Sequence, residues 1–217
     1  MFNTALTSAD LIFLAQGAAM TLIVTVISVG FGTILGIAFG VFRFQVGSYW
    51  ASPVTFFLDV FRSVPLLIQL VLANAFLGTV LKLKMSGFTI ACGVLTLYTA
   101  AYCAEIVRGG IEAVPGITRR AARSLGLTWF QDMRYIVTPL ATRVALPSWI
   151  GLALGVMKDS ALVYVVQVTE LLKSTQTLIT RLQEPLFLLM ICGAFYFVIS
   201  FPIARFGGYL EKRWSND

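Results

Sequence analysis

The sequence predicts an all-α integral membrane protein with five transmembrane helices. Of its 217 residues, 58% are hydrophobic and only 12% are charged, whereas a soluble domain usually carries about 25% charged residues. Five segments are apolar over the roughly 20 residues that a helix needs to cross a bilayer. Lipid is therefore the expected solvent for most of this chain.

The five predicted spans differ in length and in what interrupts them. They cover residues 11–42, 54–80, 88–107, 145–168 and 186–210. The first exceeds a simple crossing, so we expect it to tilt or to begin with an interfacial turn near residues 16 and 17. No basic residue precedes it, which predicts a retained span and not a signal peptide. Pro65, Pro147 and Pro202 lie inside spans, where neighbouring helices or a water-lined path must tolerate them.

Basic residues between the spans predict the orientation. Ten lie on one side of the membrane and four on the other, and the richer side is expected to be cytoplasmic. With five spans, this puts the N-terminus outside and the C-terminus inside. The ten are Arg43, Arg108, Arg119, Arg120, Arg123, Arg134, Arg143, Arg205, Lys212 and Arg213, and the four are Lys82, Lys84, Lys173 and Arg181.

Small residues recur at a spacing of four on the first span. Ser28, Gly32, Gly36 and Gly40 share one helix face, where they let a second helix backbone approach closely. This face has two interpretations: packing within the chain, or contact with a partner subunit.

Four ionisable residues lie inside predicted spans: Arg62, Glu105, Lys158 and Asp159. A charge at this depth costs about 2.5–3.5 kcal/mol on insertion scales and marks function by default. Simpler interpretations remain, because Asp59 is three residues from Arg62, and Glu105 lies near a cytoplasmic surface with a basic neighbour three residues on.

Adjacent Lys158 and Asp159 point about 100° apart on a helix, so at least one of them should face an interior. Charges of both signs would suit a zwitterionic solute.

Several function classes are disfavoured by what the sequence lacks. It has no histidine and no Cys/His cluster, which disfavours a metal site, and its three cysteines form no C-x-x-C pair, so we expect free thiols. No P-loop pattern is present, so ATP is not expected to bind this chain. Ser160 has no base spaced to activate it, which disfavours an enzyme. The net charge of +6 is explained by topology, so nucleic acid is not an expected partner.

The segment 108–143 is expected to leave the membrane as a loop containing one or two short helices. Thr118 is predicted to cap one helix and Thr128 a second. Within RRAARSLGLTWF (119–130), small residues form a smooth strip bordered by arginines. The strip is suited either to contact with a protein that carries carboxylates or to lying on anionic headgroups.

This loop resembles the EAA loop of bacterial ABC-importer permeases. Ala121, Ala122, Gly126, Ile136 and Pro139 stand where that motif requires them. The chain more narrowly resembles the polar amino acid permease branch. The segments that carry this resemblance are FRSVPLLIQL (61–70), AYCAEIVRGGIEAVP (101–115), ARSLGLT (122–128), MKDSALVYVV (157–166) and GAAMTLIVTVISVGFGTILG (17–36).

The resemblance implies a type I ABC-importer architecture, with a cytoplasmic coupling helix between the third and fourth spans. It implies a permease subunit in the bacterial inner membrane that moves a polar amino acid by alternating access. The implied partners are a second permease chain, identical or paralogous, two ATPase subunits that bind ATP and Mg, and an extracytoplasmic binding protein. No cofactor is implied on this chain.

The resemblance also assigns candidate roles. The substrate-path candidates are Arg62, Glu105, Lys158, Asp159 and Ser160, and the ATPase-docking candidates are Arg120, Ala121, Ala122, Arg123 and Gly126. Arg120 replaces the glutamate of the motif, which predicts an ATPase groove more acidic than usual, or an arginine that points elsewhere. The alternative function is an ATP-independent channel or an ion-coupled carrier. The sequence does not name the amino acid.

Overall fold

The structure, a computed structural model, describes residues 6–46 and 48–215, and nearly all of this part of the chain is helical. The helices are α1 (Ser8–Gln45), α2 (Ser48–Ser63), α3 (Leu66–Ala75), α4 (Gly87–Glu112), α5 (Gly116–Ser124), α6 (Trp129–Asp132), α7 (Thr138–Asp159), α8 (Leu171–Leu182) and α9 (Pro185–Ser215). A π-helical turn, Phe76–Val80, extends α3. A second, Met133–Val137, joins α6 to α7, and the 3-10 helix Ser160–Val166 follows α7.

Four helical stretches are long and apolar enough to cross a membrane within the described residues: Ser8–Gln45, Gly87–Glu112, Trp129–Val166 and Pro185–Trp214. The second predicted span is instead a pair of helices, Tyr49–Ser63 and Leu66–Val80, bent by 105°. Pro65 explains the break, because it has no N–H to donate and disfavours a helical conformation at the residue before it. Regular helix extends into both ends of the segment 108–143 that is expected to leave the membrane, since α4 continues to Glu112 and a long helical stretch begins at Trp129.

The small-residue face of α1 packs against α4. A Cβ atom added at Gly32 would lie 2.5 Å from Thr99 Cβ, and one at Gly36 would lie 2.5 Å from Cys103 Cβ. At Gly40 it would lie 2.7 Å from a backbone carbonyl oxygen of α4. The face is therefore buried inside the chain, which decides between the two interpretations in favour of internal packing.

Side chains satisfy the backbone groups freed at the bend between α2 and α3. Gln69 Nε2 donates to the carbonyl oxygens of Phe61 and Val64, at 2.8 and 2.7 Å. The hydroxyl of Tyr102, on α4, donates to the carbonyl oxygen of Arg62 at 3.3 Å. Unpaired carbonyl groups are costly in an apolar medium, so these bonds stabilise the bend and hold α2 against α4.

The short helix α8 is anchored at both ends. The Glu170 carboxylate caps it, accepting from the N–H groups of Leu172 at 2.6 Å and Lys173 at 2.7 Å. Burial raises the pKa of Glu170 above its ordinary value, while these two donors oppose that shift. Near the other end, Arg181 pairs with Asp10 in the first turn of α1. This ion pair therefore connects α8 to the start of α1.

The three cysteines, Cys92, Cys103 and Cys192, are free and buried, as expected.

Candidate functional sites

Glu105 is the centre of a partly exposed charged network between α1, α2 and α4. Its carboxylate lies 2.9 Å from Arg43 Nη1 and 3.0 Å from Arg62 Nη1, and it also pairs with Arg108. Two further carboxylates extend the network, since Asp59 lies 3.0 Å from Arg62 and Glu112 lies 2.6 Å from Arg108. Three arginines thus meet three carboxylates, so the network is neutral while it joins α1, α2 and α4.

The sequence left open whether Arg62 and Glu105 pair with nearby charges on their own helix or meet charges elsewhere, and in this network they do both. Arg62 does pair with Asp59, and Glu105 does pair with Arg108, as the three-residue spacings suggested. The sequence reasoning missed Arg43, which was assigned to the inner loop between spans. Its side chain is only 9% exposed and reaches Glu105 from α1. No local pattern distinguishes this arginine from one that only sets topology.

Two tyrosines on α4 connect this network to Asp159. The Tyr98 hydroxyl donates to Asp159 Oδ2 at 3.3 Å, and the ring centroids of Tyr98 and Tyr102 are 4.9 Å apart. Tyr102 in turn donates to the backbone of Arg62. Both tyrosines were missed, although spacings of four and three residues put them on the same helix face as Glu105. We call the line from Asp159 through the tyrosines to Glu105 the polar strip.

Three path candidates lie at the end of α7, and their side chains point in different directions: Lys158, Asp159 and Ser160. Lys158 is exposed and Asp159 is partly exposed beside Tyr98. Ser160, proposed as a path residue from the resemblance, is fully buried. Its hydroxyl donates to the carbonyl oxygen of Met157 at 2.7 Å, because the chain tightens into the 3-10 helix at this residue. This bond stabilises the turn between α7 and the 3-10 helix.

The boundaries of the inner loop helices follow local chemistry. Helix α5 begins after Pro115 and not at Thr118, which lies within the helix. A proline fits this boundary because the first N–H groups of a helix have no intrahelical partner. Thr128 caps α6 in a reciprocal capping box with Gln131, as the sequence predicted.

Gly126 ends α5 in a left-handed conformation, with a φ of 81°. The N–H of Gly126 donates to the carbonyl oxygen of Arg123 at 2.9 Å, and the N–H of Leu127 donates to that of Ala122 at 3.2 Å. These two bonds define a Schellman motif, which glycine favours because it has no Cβ to clash. Gly126 therefore determines where α5 stops.

The docking candidates divide between two faces of α5. Ala122 is only 4% exposed and packs into the chain, whereas Arg120, Ala121 and Arg123 are exposed. Leu125, which the sequence reasoning had placed in the small-residue strip, is 80% exposed. The sequence reasoning missed two other exposed apolar side chains, Ile117, 69% exposed, and Phe130, 67% exposed. The sequence did contain a signal for Ile117, because Arg120 and Ala121 follow it by three and four residues and therefore share its helix face. We call Ile117, Arg120, Ala121, Arg123 and Leu125 the outer face of α5.

A cavity of about 320 Å³ lies elsewhere, between α1, α4 and α7. Its lining is mostly apolar, with Trp149 Nε1 donating to Thr33 Oγ1 at 2.8 Å. The charged candidates do not line it, so the cavity is separate from the polar strip. Among residues 6–46 and 48–215, no group of three or more His, Cys, Asp or Glu side chains could hold a metal ion.

Comparison with known families and sequences gives consistent matches. The family model described as "Binding-protein-dependent transport system inner membrane component" matches residues 32–216. The histidine/lysine/arginine/ornithine transport system permease protein HisM of Escherichia coli (strain K12) is 30% identical, over 91% of this chain and 87% of the relative. The glutamate/aspartate import permease protein GltK of Escherichia coli O157:H7 is 30% identical over 93% of each chain. The probable amino-acid ABC transporter permease protein YckA of Bacillus subtilis (strain 168) is 29% identical over 100% of this chain and 95% of the relative.

Solved structures share the fold. A chain in the crystal structure of an amino acid ABC transporter with histidines superposes with a TM-score of 0.85 and 28% identity, covering 93% of this chain and 94% of that one. A chain of the inward-facing MetNI methionine ABC transporter superposes with a TM-score of 0.77 at 20% identity, over 94% and 99% of the two chains.

Proposed function

The chain belongs to the family of binding-protein-dependent transport system inner membrane components, and on this premise we propose that it is the transmembrane permease subunit of an ATP-driven importer for polar amino acids. The names of its relatives, which describe amino-acid permeases, support the substrate class. The observation that carries the proposal is helix α5. It is a short, exposed helix between two spans, it ends at a left-handed glycine, and it presents a basic and apolar outer face.

The subunit works in a bacterial inner membrane, with its N-terminus outside and its C-terminus in the cytoplasm. A second permease chain, identical or paralogous, completes the path. Two ATPase subunits bind ATP and Mg and supply the energy, since this chain has no P-loop. An extracytoplasmic binding protein delivers the amino acid. The asymmetry of basic residues supports this orientation.

The outer face of α5 docks on the ATPase. Ile117 and Leu125 supply exposed apolar area, and Ala121 permits close approach between them. Arg120 and Arg123 then meet carboxylates in a groove of the ATPase. This groove is more acidic than the groove of an ATPase whose permease carries the usual glutamate of the motif at the position of Arg120. Gly126 acts by ending the helix, so that this face has a defined length.

The polar strip lines the path. Asp159 offers a carboxylate to the ammonium group of an amino acid, and Lys158 offers a cation to its carboxylate. The network around Glu105 lies further along α4, where it joins three helices through ion pairs. Such pairs can exchange partners when the two permease chains rock between outward-open and inward-open states.

Reconstitution tests this function. The complex of permease, ATPase and binding protein is placed in proteoliposomes, and uptake is scanned over arginine, histidine, glutamine and glutamate, with and without ATP. Uptake that needs both ATP and the binding protein supports the importer. Flux at the same rate without ATP would instead establish the alternative, a channel or an ion-coupled carrier. An ATPase variant unable to hydrolyse ATP is the matched control.

We expect Asp159→Asn to reduce uptake about tenfold while the complex still assembles. The substitution keeps the shape of the side chain but removes the charge that would meet the substrate ammonium, and charged hydrogen bonds contribute about 1.5–3 kcal/mol. The initial uptake rate against amino acid concentration is the measurement. Glu211→Gln, which removes an exposed acid of α9, is the control and should transport normally. Unchanged kinetics in Asp159→Asn would remove Asp159 from the path.

Two substitutions at Gly126 should differ in their effect on coupling. Gly126→Val puts a β-branched residue at a φ of 81°, which costs about 1–3 kcal/mol and shifts the end of α5. ATP hydrolysis should then continue with little uptake. Gly126→Asn should remain coupled, because asparagine tolerates the left-handed conformation. The amino acid moved per ATP hydrolysed is measured for both, and equal ratios would contradict the role of the helix end.

A further inference from the structure

We propose that the ion pair between Arg119 and Asp132 is the mechanical link through which α5 moves the helix that carries Lys158 and Asp159. The proposal rests on the importer function above and adds a pair of positioning residues to it. Neither residue belongs to the outer face of α5 or to the polar strip.

The carboxylate of this pair is fully buried, and the arginine is mostly buried beside it. Arg119 Nε donates to Asp132 Oδ2 at 3.2 Å, and the exposed fractions of the two side chains are 17% and 0%. The second carboxylate oxygen, Oδ1, is buried with no hydrogen-bond partner among the described residues. A buried carboxylate that loses its cation keeps an uncompensated charge, so Asp132 strongly favours the arrangement in which Arg119 stays beside it.

Arg119 and Arg120 point in different directions because adjacent helix residues lie about 100° apart. Arg120 is exposed on the outer face, whereas Arg119 turns towards Asp132 and stacks on Phe44 of α1, with its guanidinium carbon 5.1 Å from the ring centroid. Arg120 is thus available to the ATPase, whereas Arg119 connects α5 to the membrane helices.

Asp132 lies at the start of a long continuous helix. This helical stretch runs from Trp129 to Val166 through α6, the π-helical turn, α7 and the 3-10 helix, and it contains Lys158 and Asp159. Asp132 and Asp159 are 27 positions apart, which at about 1.5 Å per residue corresponds to about 40 Å along the axis. A hydrogen-bonded helix transmits displacement along its axis, so a pull on Asp132 reaches the carboxylate proposed to meet the substrate.

The cation–π contact supplies a second route. Phe44 follows Arg43 directly on α1, and Arg43 pairs with Glu105 at 2.9 Å. Movement of Arg119 therefore acts at both ends of the polar strip: on Asp159 through the long helix and on Glu105 through the end of α1. One residue of α5 is linked to the whole path.

The test measures coupling in the full complex in proteoliposomes, as amino acid moved per ATP hydrolysed. The probe is whichever of arginine, histidine, glutamine and glutamate the wild-type complex transports best. The variants are Arg119→Met, Asp132→Asn and the exchanged double variant Arg119→Asp with Asp132→Arg. Arg134→Met is the control, because Arg134 is exposed and its ring contact is with the adjacent Tyr135. Copurification of the ATPase is measured for every variant.

We expect each single variant to retain the ATPase and hydrolyse ATP while its coupling ratio falls about tenfold, within the usual range of coupling between two sites. The exchanged variant should recover part of the ratio, which a loss of packing alone would not allow. Wild-type ratios in both single variants would overturn the proposal. So would loss of the ATPase from them, or an exchanged variant that assembles without recovery. Failure of the importer function is distinguishable, because the wild-type complex itself would then show no ATP-driven uptake.

Discussion

Glu105→Gln is expected to abolish uptake. The substitution leaves Arg43, Arg62 and Arg108 around a neutral amide, where the carboxylate had lain 2.9 and 3.0 Å from the first two. Removing one partner of a buried ion pair costs about 3–5 kcal/mol. Since Glu105 is 32% exposed, about 2–3 kcal/mol is a more realistic loss after solvent screening. Uptake in proteoliposomes and the thermal unfolding midpoint of the permease are the measurements.

Glu112→Gln is the matched control for this prediction. It makes the same chemical change two turns further along α4, at a carboxylate that pairs with Arg108 and is 50% exposed. An exposed pair of this kind contributes no more than about 1 kcal/mol, so uptake should remain near the wild-type rate. Glu105→Asp should retain part of the uptake because it keeps the charge. If Glu105→Gln transports as well as Glu112→Gln, the ion pairs of Glu105 are not required for transport.

Gly36→Leu is expected to prevent assembly of the permease. A Cβ at this position would lie 2.5 Å from Cys103 Cβ and 3.1 Å from the backbone oxygen of Ala100. Backbone atoms of α4 cannot move aside alone, so the whole α1–α4 contact must open. Overpacking usually costs about 1–3 kcal/mol, and a full leucine at a backbone contact should cost at least the upper end. The yield of monodisperse protein after detergent extraction is the measurement.

Gly30→Leu separates this steric effect from the effect of leucine on α1. Nothing lies within 4 Å of a Cβ at Gly30, and the residue is exposed on the same helix. Leucine is also a better helix former than glycine, so this variant should be extracted normally. A second check is Gly36→Ala with Cys103→Gly, which removes the nearest obstructing side chain and should recover part of the yield lost in Gly36→Ala alone. Equal yields for Gly36→Leu and Gly30→Leu would contradict the close packing of α1 on α4.

Much of the helical architecture was predictable because its causes are local. The apolar lengths predicted four of the spans as single helices, and Thr128 was correctly predicted to cap the helix that begins after it, α6. The spacing of small residues predicted a close helix contact, although not its partner. The bend between α2 and α3 was missed, even though Pro65 was noted, because its neighbours decide whether a proline merely kinks a helix or breaks it.

The site was predictable only in part. Charged residues in spans led directly to Glu105, Arg62 and Asp159, because a charge in lipid is costly wherever the helix lies. Ser160 was included because of the family resemblance, and only the structure shows that its hydroxyl donates to the carbonyl oxygen of Met157. Asp132 was not identified because nothing around it in the sequence indicates complete burial.

The sequence by itself determined a membrane protein, four of its spans, the cap of α6 at Thr128 and its family, because apolar length and capping act within a few residues. The tertiary structure decided which charges meet. Arg43 and Glu105 are 62 residues apart, Tyr98 and Asp159 are 61 apart, and Arg119 and Asp132 are 13 apart across a helix end. Ion pairs and hydrogen bonds act over only a few ångströms, so these partners meet only once α1, α2 and the helices from α4 to α7 have packed together.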